Sequence, residues 1–145
     1  MRRVIALAVL LTATLSPTHC WAVEADRTVI ETLMGEAGDQ GVIGMQAVAE
    51  VIRTRARQRH LTPAAVCLQK WQFSFNNDPA YRQNWLRKHG NANLRAQALL
   101  AWERSASSSL TQGKNHYYAF RLIKAPSYAI GRPYVDLKDH RFFNA

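Results

Sequence analysis

The chain has 145 residues, enough for one domain with a core of ordinary size. Lysine and arginine outnumber aspartate and glutamate by 19 to 10, a formal charge of +9. That balance disfavours cationic partners and favours polyanions: nucleic acid, acidic lipid headgroups or an anionic cell wall.

At the start, Arg2 and Arg3 precede an apolar run from Val4 to Leu15, then a proline and small residues. This is the order of a secretory signal peptide. The run is shorter than the roughly 18 residues a bilayer span needs, so no stable membrane span is expected. Cleavage is expected after Ala22 or Ala25, with Ala25 preferred. Residues 1–25 then form the signal peptide and 26–145 an exported domain, periplasmic or extracellular, that remains strongly basic. Export makes nucleic acid the least favoured polyanion. Cys67 alone survives cleavage, so no intramolecular disulfide can form. It serves either as a small buried apolar residue or in pairing between chains.

Val29, Ile30, Leu33, Met34 and Ala37 recur at helical spacing and predict a helix over 26–37, with Asp26 as N-cap. Gly38 to Gly41, "GDQG", breaks it. A second helix is predicted over 42–58, with Met45, Val48, Ala49, Ile52 and Ala56 on one stripe and arginines crowding its C-terminus. Residues 61–69 read as a short helix capped by Thr62, with Pro63 at its first position. "KWQFSFNND" reads as an irregular aromatic loop, followed by a short helix that ends at His89 and Gly90. A longer helix follows over 93–107, with Leu94, Ala98, Ala101 and Trp102 inward. After a polar turn the pattern becomes strand-like at "NHYYAFRLI" and continues as short extended pieces. No repeat or second domain is evident. Helices first and a small sheet last predict a mostly helical α+β arrangement.

Nine carboxylate side chains lie between Asp26 and the C-terminus, and carboxyl chemistry must draw on them. A helix turns about 100° per residue, which puts Glu36 about 90° from the centre of its helix's apolar stripe. Glu31 falls about 130° away and is expected in water. Glu50, nearly opposite its own stripe, is expected to be solvated as well. A carboxyl on the rim loses water, which disfavours its charged form. Glu36 is therefore either a structural helix-edge residue or an acid able to protonate a leaving group. Asp39, across the break, either caps the second helix or joins that chemistry. The five histidines show no short metal-binding spacing and Cys67 has no cysteine partner, so neither metal nor cofactor is expected.

"GEAGDQGVIGMQAVAEVIRTR" resembles the opening motif of the SleB-type cell-wall hydrolase family, which includes spore cortex-lytic enzymes. Gly35, Glu36, Ala37, Gly44, Ala47, Val48, Val51, Ile52 and Arg55 fall on its frame. Gln72, Phe73 and Ser74 are similar to the family's Q-F-S segment, and Thr111, Gly113, His116 and Tyr117 to its T-x-G-A-x-H-Y stretch. Pro126, His140 and Phe142 resemble its closing pieces. The pieces occur in order over nearly all of residues 26–145. Gly38 and Asp39 depart from the frame, Gln40 replaces a second glutamate, Thr54 an asparagine and Tyr128 a tryptophan.

The resemblance implies a lysozyme-like fold and cleavage of peptidoglycan between N-acetylmuramic acid and N-acetylglucosamine by lytic transglycosylation. Glu36 is then the catalytic acid and base. Gln72, Phe73, Ser74, His116, Tyr117 and His140 are the candidate substrate-binding residues. Loop packing accounts equally well for Gln72 and Ser74, and structural hydrogen bonds for the histidines. Tyr117 and Tyr118 are adjacent on a strand, so one faces the core and the other a cleft. The expected partner is peptidoglycan, and the expected state is a monomer. A non-catalytic wall-binding module, a hydrolytic muramidase, and a basic protein acting on acidic lipid are the alternatives.

Overall fold

The computed structural model describes the backbone of residues 18–145 and the side chains of 27–145. Most of the expected signal peptide lies outside the described residues. Helix α1 spans Thr18–Ala37 and runs straight through Asp26, which is therefore not its N-cap. No glycine or proline lies between Thr18 and Met34 to start the helix later. A 3₁₀ turn, Gly38–Gln40, follows, and α2 spans Gly41–Arg59, opening on Gly41 at φ 66°. Helix α3 is Pro63–Leu68, with the Thr62 hydroxyl accepting from the Ala65 amide. Helix α4 is Pro79–His89, capped by Asp78, and α5 is Ala92–Arg104, capped by Asn91. Three four-residue strands close the chain: β1 His116–Ala119, β2 Tyr134–Leu137 and β3 His140–Phe143. They form an antiparallel sheet in the order β1-β3-β2, with Tyr117 opposite Phe142 and Val135 opposite Phe142. The described chain is mostly helical α+β, as its pattern predicts.

The main core lies where the apolar stripes of α1 and α2 meet α3 and α5. Val29, Ile30, Leu33, Met34, Met45, Val48 and Ile52 are essentially inaccessible there. A second cluster joins the opposite side of α2, through Ala47 and Val51, to Phe142 of β3. Helix α2 is thus covered on both sides, and every residue from Gly44 to Ile52 is buried.

This double coverage corrects the reading of two carboxylates. Glu50 is buried rather than solvated. Its Oε1 accepts from the Ser108 hydroxyl and the Leu110 amide, and its Oε2 from the amide and hydroxyl of Thr111, each at 2.8 Å. It anchors the turn that leads into β1. Glu31 is also buried. It pairs with Arg27 at 2.9 Å, Arg82 of α4 at 2.6 Å and Arg95 of α5 at 3.6 Å. One side of a helical wheel faces water only when nothing else packs there; α4 and α5 cover that side of α1.

Cys67 is fully buried, and burial pushes its thiol up to about 12. A thiol that is neither reachable nor ionised does not pair between folded chains.

Candidate active site

Glu36 stands in the last turn of α1, at the floor of a cleft of about 730 Å³ between the helices and the sheet. Three donors from two segments distant in sequence converge on its carboxylate. Oε1 accepts from the Phe75 amide at 2.8 Å and from the Ser74 hydroxyl at 3.1 Å. Oε2 accepts from the Tyr117 hydroxyl at 2.8 Å. Each carboxylate oxygen offers two lone-pair directions. Oε1 is filled, and Oε2 keeps one direction free.

Local sequence explains how the donors arrive. Gly35 has no side chain to obstruct the Phe75 ring; a Cβ there would lie 2.1 Å from the nearest ring carbon. The ring can therefore press onto the backbone of α1 and bring the 74–76 turn against Glu36. Asn76 ties the same turn down, donating from Nδ2 to Thr32 Oγ1 and to the Cys67 carbonyl, both at 2.9 Å. Along the preceding loop the side chains alternate. Gln72 and Ser74 line the cleft, whereas Phe73 and Phe75 turn inward and are buried. Phe73 thus belongs to the core, not to a substrate-contacting surface.

Arg55 of α2 also lines the cleft, although it is almost fully buried. Its Nε donates to the Asn115 carbonyl at 2.7 Å and its Nη1 to the Gln72 carbonyl at 3.3 Å, joining the 72–75 loop to the start of β1. Burial lowers its affinity for a proton, while nearby Tyr117 and Glu36 act in the opposite direction.

Tyr117 points from β1 toward α1, its ring packed near His140 and Phe142 at 5.0 and 5.5 Å. Burial, reinforced by the Glu36 carboxylate, pushes its phenol well above the ordinary value, so it remains a donor. Tyr118 is buried, edge-on to Phe143 at 6.0 Å, and also reaches the cleft wall. His140 lines the cleft while 7% exposed, and burial lowers its pKa, which keeps it neutral near pH 7.

His116 is not among the cleft residues. As Tyr117's neighbour on a strand, it projects to the other side of the sheet, with its Nδ1 2.8 Å from Asn115 Oδ1 and its ring near Phe143 at 5.7 Å. Burial and the Arg55, Arg59 and Arg132 charges lower its pKa to about 4. Of the six candidate substrate-binding residues, the cleft gathers Gln72, Ser74, Tyr117 and His140 around Glu36 and leaves Phe73 and His116 outside.

Asp39 does not cap α2, because that helix starts from Gln40 without a side-chain cap. It lines the cleft instead, as do Gln40 and Asp139. The other wall is apolar: Trp85 of α4, then Leu122, Ile123, Pro126 and Tyr128 from the loop after β1. Leu122 is 82% exposed and Tyr128 56%. Sequence reasoning assigned these residues no role. Pro126 and Tyr128 alone carried a hint, Pro126 by falling on the resembled family's closing pieces and Tyr128 as an aromatic residue where that family has tryptophan. Among the described residues no helix is long and apolar enough to cross a membrane, and no group of His, Cys, Asp or Glu is arranged to hold a metal ion.

Compared with protein-family models, with curated proteins and with solved structures, the chain matches none.

Proposed function

We propose that the protein is an exported enzyme that cleaves the glycan strand of peptidoglycan between N-acetylmuramic acid and N-acetylglucosamine, with Glu36 as its acid and base. One observation carries the reading. Glu36 lies at the floor of a cleft with three of its four acceptor directions occupied, so the free direction of Oε2 is where a proton is carried and delivered. Glu50 also collects donors from a distant turn, but it is buried outside this cleft, whereas the donors to Glu36 hold its carboxyl facing the open groove. The exposed aromatic Tyr128 and the polar Gln72 and Ser74 supply a ring face and hydrogen bonds of the kind sugars use. The basic surface draws the enzyme toward an anionic wall.

The chemistry runs through one carboxyl. Protonated Glu36 gives its hydrogen to the glycosidic oxygen as the bond from that oxygen to the muramic acid C1 breaks. The resulting carboxylate then removes the proton of the muramic acid 6-hydroxyl, whose oxygen bonds to C1 and closes a 1,6-anhydro ring. No water is consumed, and one carboxyl is restored to its starting state. Tyr117 holds Oε2 in place throughout, because its phenol does not ionise in the working range.

Hydrolysis is the second reading, favoured by Asp39 in the same cleft, because water activation generally uses a second carboxylate. Mass analysis of the muropeptides released from purified wall, by the wild type and by Glu36→Gln, separates the readings. Anhydro products that vanish in the variant are expected. Reducing-end products would move the reaction to hydrolysis. Equal release by both proteins would remove Glu36 from the mechanism, and wall binding without release by either would favour a binding module.

A further inference from the structure

Gln40 stands where the resembled family carries a second glutamate, and its surroundings suit an amide. Nε2 donates to Asp39 Oδ2 at 3.0 Å and to Asp139 Oδ2 at 3.2 Å. Oε1 accepts from the Asp139 backbone amide at 3.1 Å. Both hydrogens of the amide thus go to carboxylates, and its oxygen to a main-chain donor. Asp39 lies in the 3₁₀ turn just after Glu36, and Asp139 in the turn between β2 and β3, just before His140. The amide therefore bridges 99 positions of sequence, from the helical wall of the cleft to the sheet wall.

Room for this bridge is made by Gly44. A Cβ there would lie 2.1 Å from the Cβ of Gln40, so the stem of the glutamine rests directly on the first turn of α2. A methyl group at position 44 would push the amide away from its carboxylates.

We propose that Gln40 is a positioning residue of the cleft: its neutral amide holds Asp39 and Asp139 side by side and fixes the sheet against the turn that follows Glu36. The proposal rests on the glycan-cleaving reading for its activity readout, though not for its structural one. Strand β3 pairs with β1 through Phe142 and Tyr117, so a shift of the β2–β3 turn moves the Tyr117 hydroxyl relative to Glu36. The charged and titratable groups facing the amide are Asp39 on its own turn, Glu36 from α1, and Asp139 and His140 from the β2–β3 turn. Arg121, after β1, pairs with Asp139 at 3.2 Å. One guanidinium offsets one of two carboxylates.

A carboxylate at position 40 has no hydrogen to give and sets a third negative charge beside two others. The like charges raise the pH at which the introduced group takes up a proton. Once protonated it regains one donor. Gln40→Glu therefore makes the cleft depend on acid: parted at neutral pH, partly rejoined below about pH 5. Gln40→Met, of similar volume and without donors, is parted at every pH.

The test compares wild type, Gln40→Glu and Gln40→Met. Muropeptide release is followed from pH 4.5 to 8, and nuclear magnetic resonance follows the Tyr117 ring in the substrate-free proteins. At pH 7 both variants are expected to lose about tenfold in release rate, one order of magnitude being about 1.4 kcal/mol of positioning. Below about pH 5, Gln40→Glu recovers part of that loss and Gln40→Met none. The Tyr117 signals of Gln40→Glu return toward the wild-type position in acid, and those of Gln40→Met do not. A profile for Gln40→Glu parallel to that of Gln40→Met, or Tyr117 signals unchanged from wild type in both variants, overturns the proposal. If the wild type releases nothing, the glycan-cleaving reading fails, and the resonance data alone decide the role of Gln40.

Discussion

Gly35→Ala probes the contact that brings two of the three donors to Glu36. The added Cβ would lie 2.1 to 2.4 Å from three carbons of the Phe75 ring. Carbon atoms pack at about 3.5 Å, so the ring must retreat by more than about 1 Å. It has little room to do so, being 2% exposed and held edge-on to Trp85 at 5.3 Å and near Tyr81 at 6.3 Å. Overpacking of this kind costs about 1–3 kcal/mol. Moving the ring also draws the Phe75 amide and the Ser74 hydroxyl away from the carboxylate, and each hydrogen bond to a charged group is worth about 1.5–3 kcal/mol. Against this, alanine is a better helix former than glycine by about 1 kcal/mol. The expected net loss is at least about 3 kcal/mol. Urea unfolding of wild type, Gly35→Ala, Phe75→Ala and the double variant measures it. Phe75→Ala alone should cost about 3–5 kcal/mol. The double variant should fall short of the sum by at least about 1 kcal/mol, because the new methyl enters space the ring has left. A Gly35→Ala protein more stable than wild type would show helix propensity acting alone, and would refute the packing of Phe75 on this glycine.

Glu50→Gln turns an acceptor-only group that receives four donors into one whose amide nitrogen faces donors. A loss of about 3 kcal/mol in urea unfolding is expected, with hydrogen exchange accelerating first in the 108–111 turn. A loss below about 0.5 kcal/mol would place the carboxylate in water after all. His116, with its pKa lowered from 6.5 to about 4, binds protons more readily unfolded than folded. Its contribution is therefore complete above about pH 6.5 and declines as the pH falls toward 4. His140 acts in the same direction. Melting temperatures of His116→Gln should fall less steeply between pH 7 and 5 than those of the wild type; parallel curves would contradict the assignment.

Local rules read from the chain reach as far as local physics does. The caps at Thr62 and Pro63, the break at "GDQG" and the stripe on α2 follow from neighbouring residues, and each lies where the pattern puts it. The helical wheel also put Glu36 at the rim of its helix, where it does lie. The same wheel failed for Glu31 and Glu50, because it assumes that the side of a helix without apolar residues meets water. Those sides meet α4 and α5 in one case and the 108–111 turn in the other, and the polar groups there are charges and main-chain amides that no hydrophobic period records. Asp26 failed differently, since a good N-cap residue counts only where the helix begins. The bridge from Gln40 to Asp139 was illegible for a third reason: two side chains 99 positions apart meet only through the fold.

Glycines on either side of Glu36 make its cleft possible. Gly35 admits the Phe75 ring and with it the 74–76 turn, while Gly44 admits the stem of Gln40 and with it the β2–β3 turn. Much of the motif "GEAGDQGVIG" is therefore a packing requirement: missing side chains let two walls close on one floor. A protein that merely held glycan in this groove would need the same two glycines, so their presence does not distinguish binding from cleavage. The carboxyl does. Glutamine at position 36 keeps the size of the side chain and an oxygen for the Phe75 and Ser74 donors, yet carries no transferable acid proton. A binding groove should tolerate that exchange with a modest change in affinity, whereas acid catalysis through the open direction of Oε2 should not survive it.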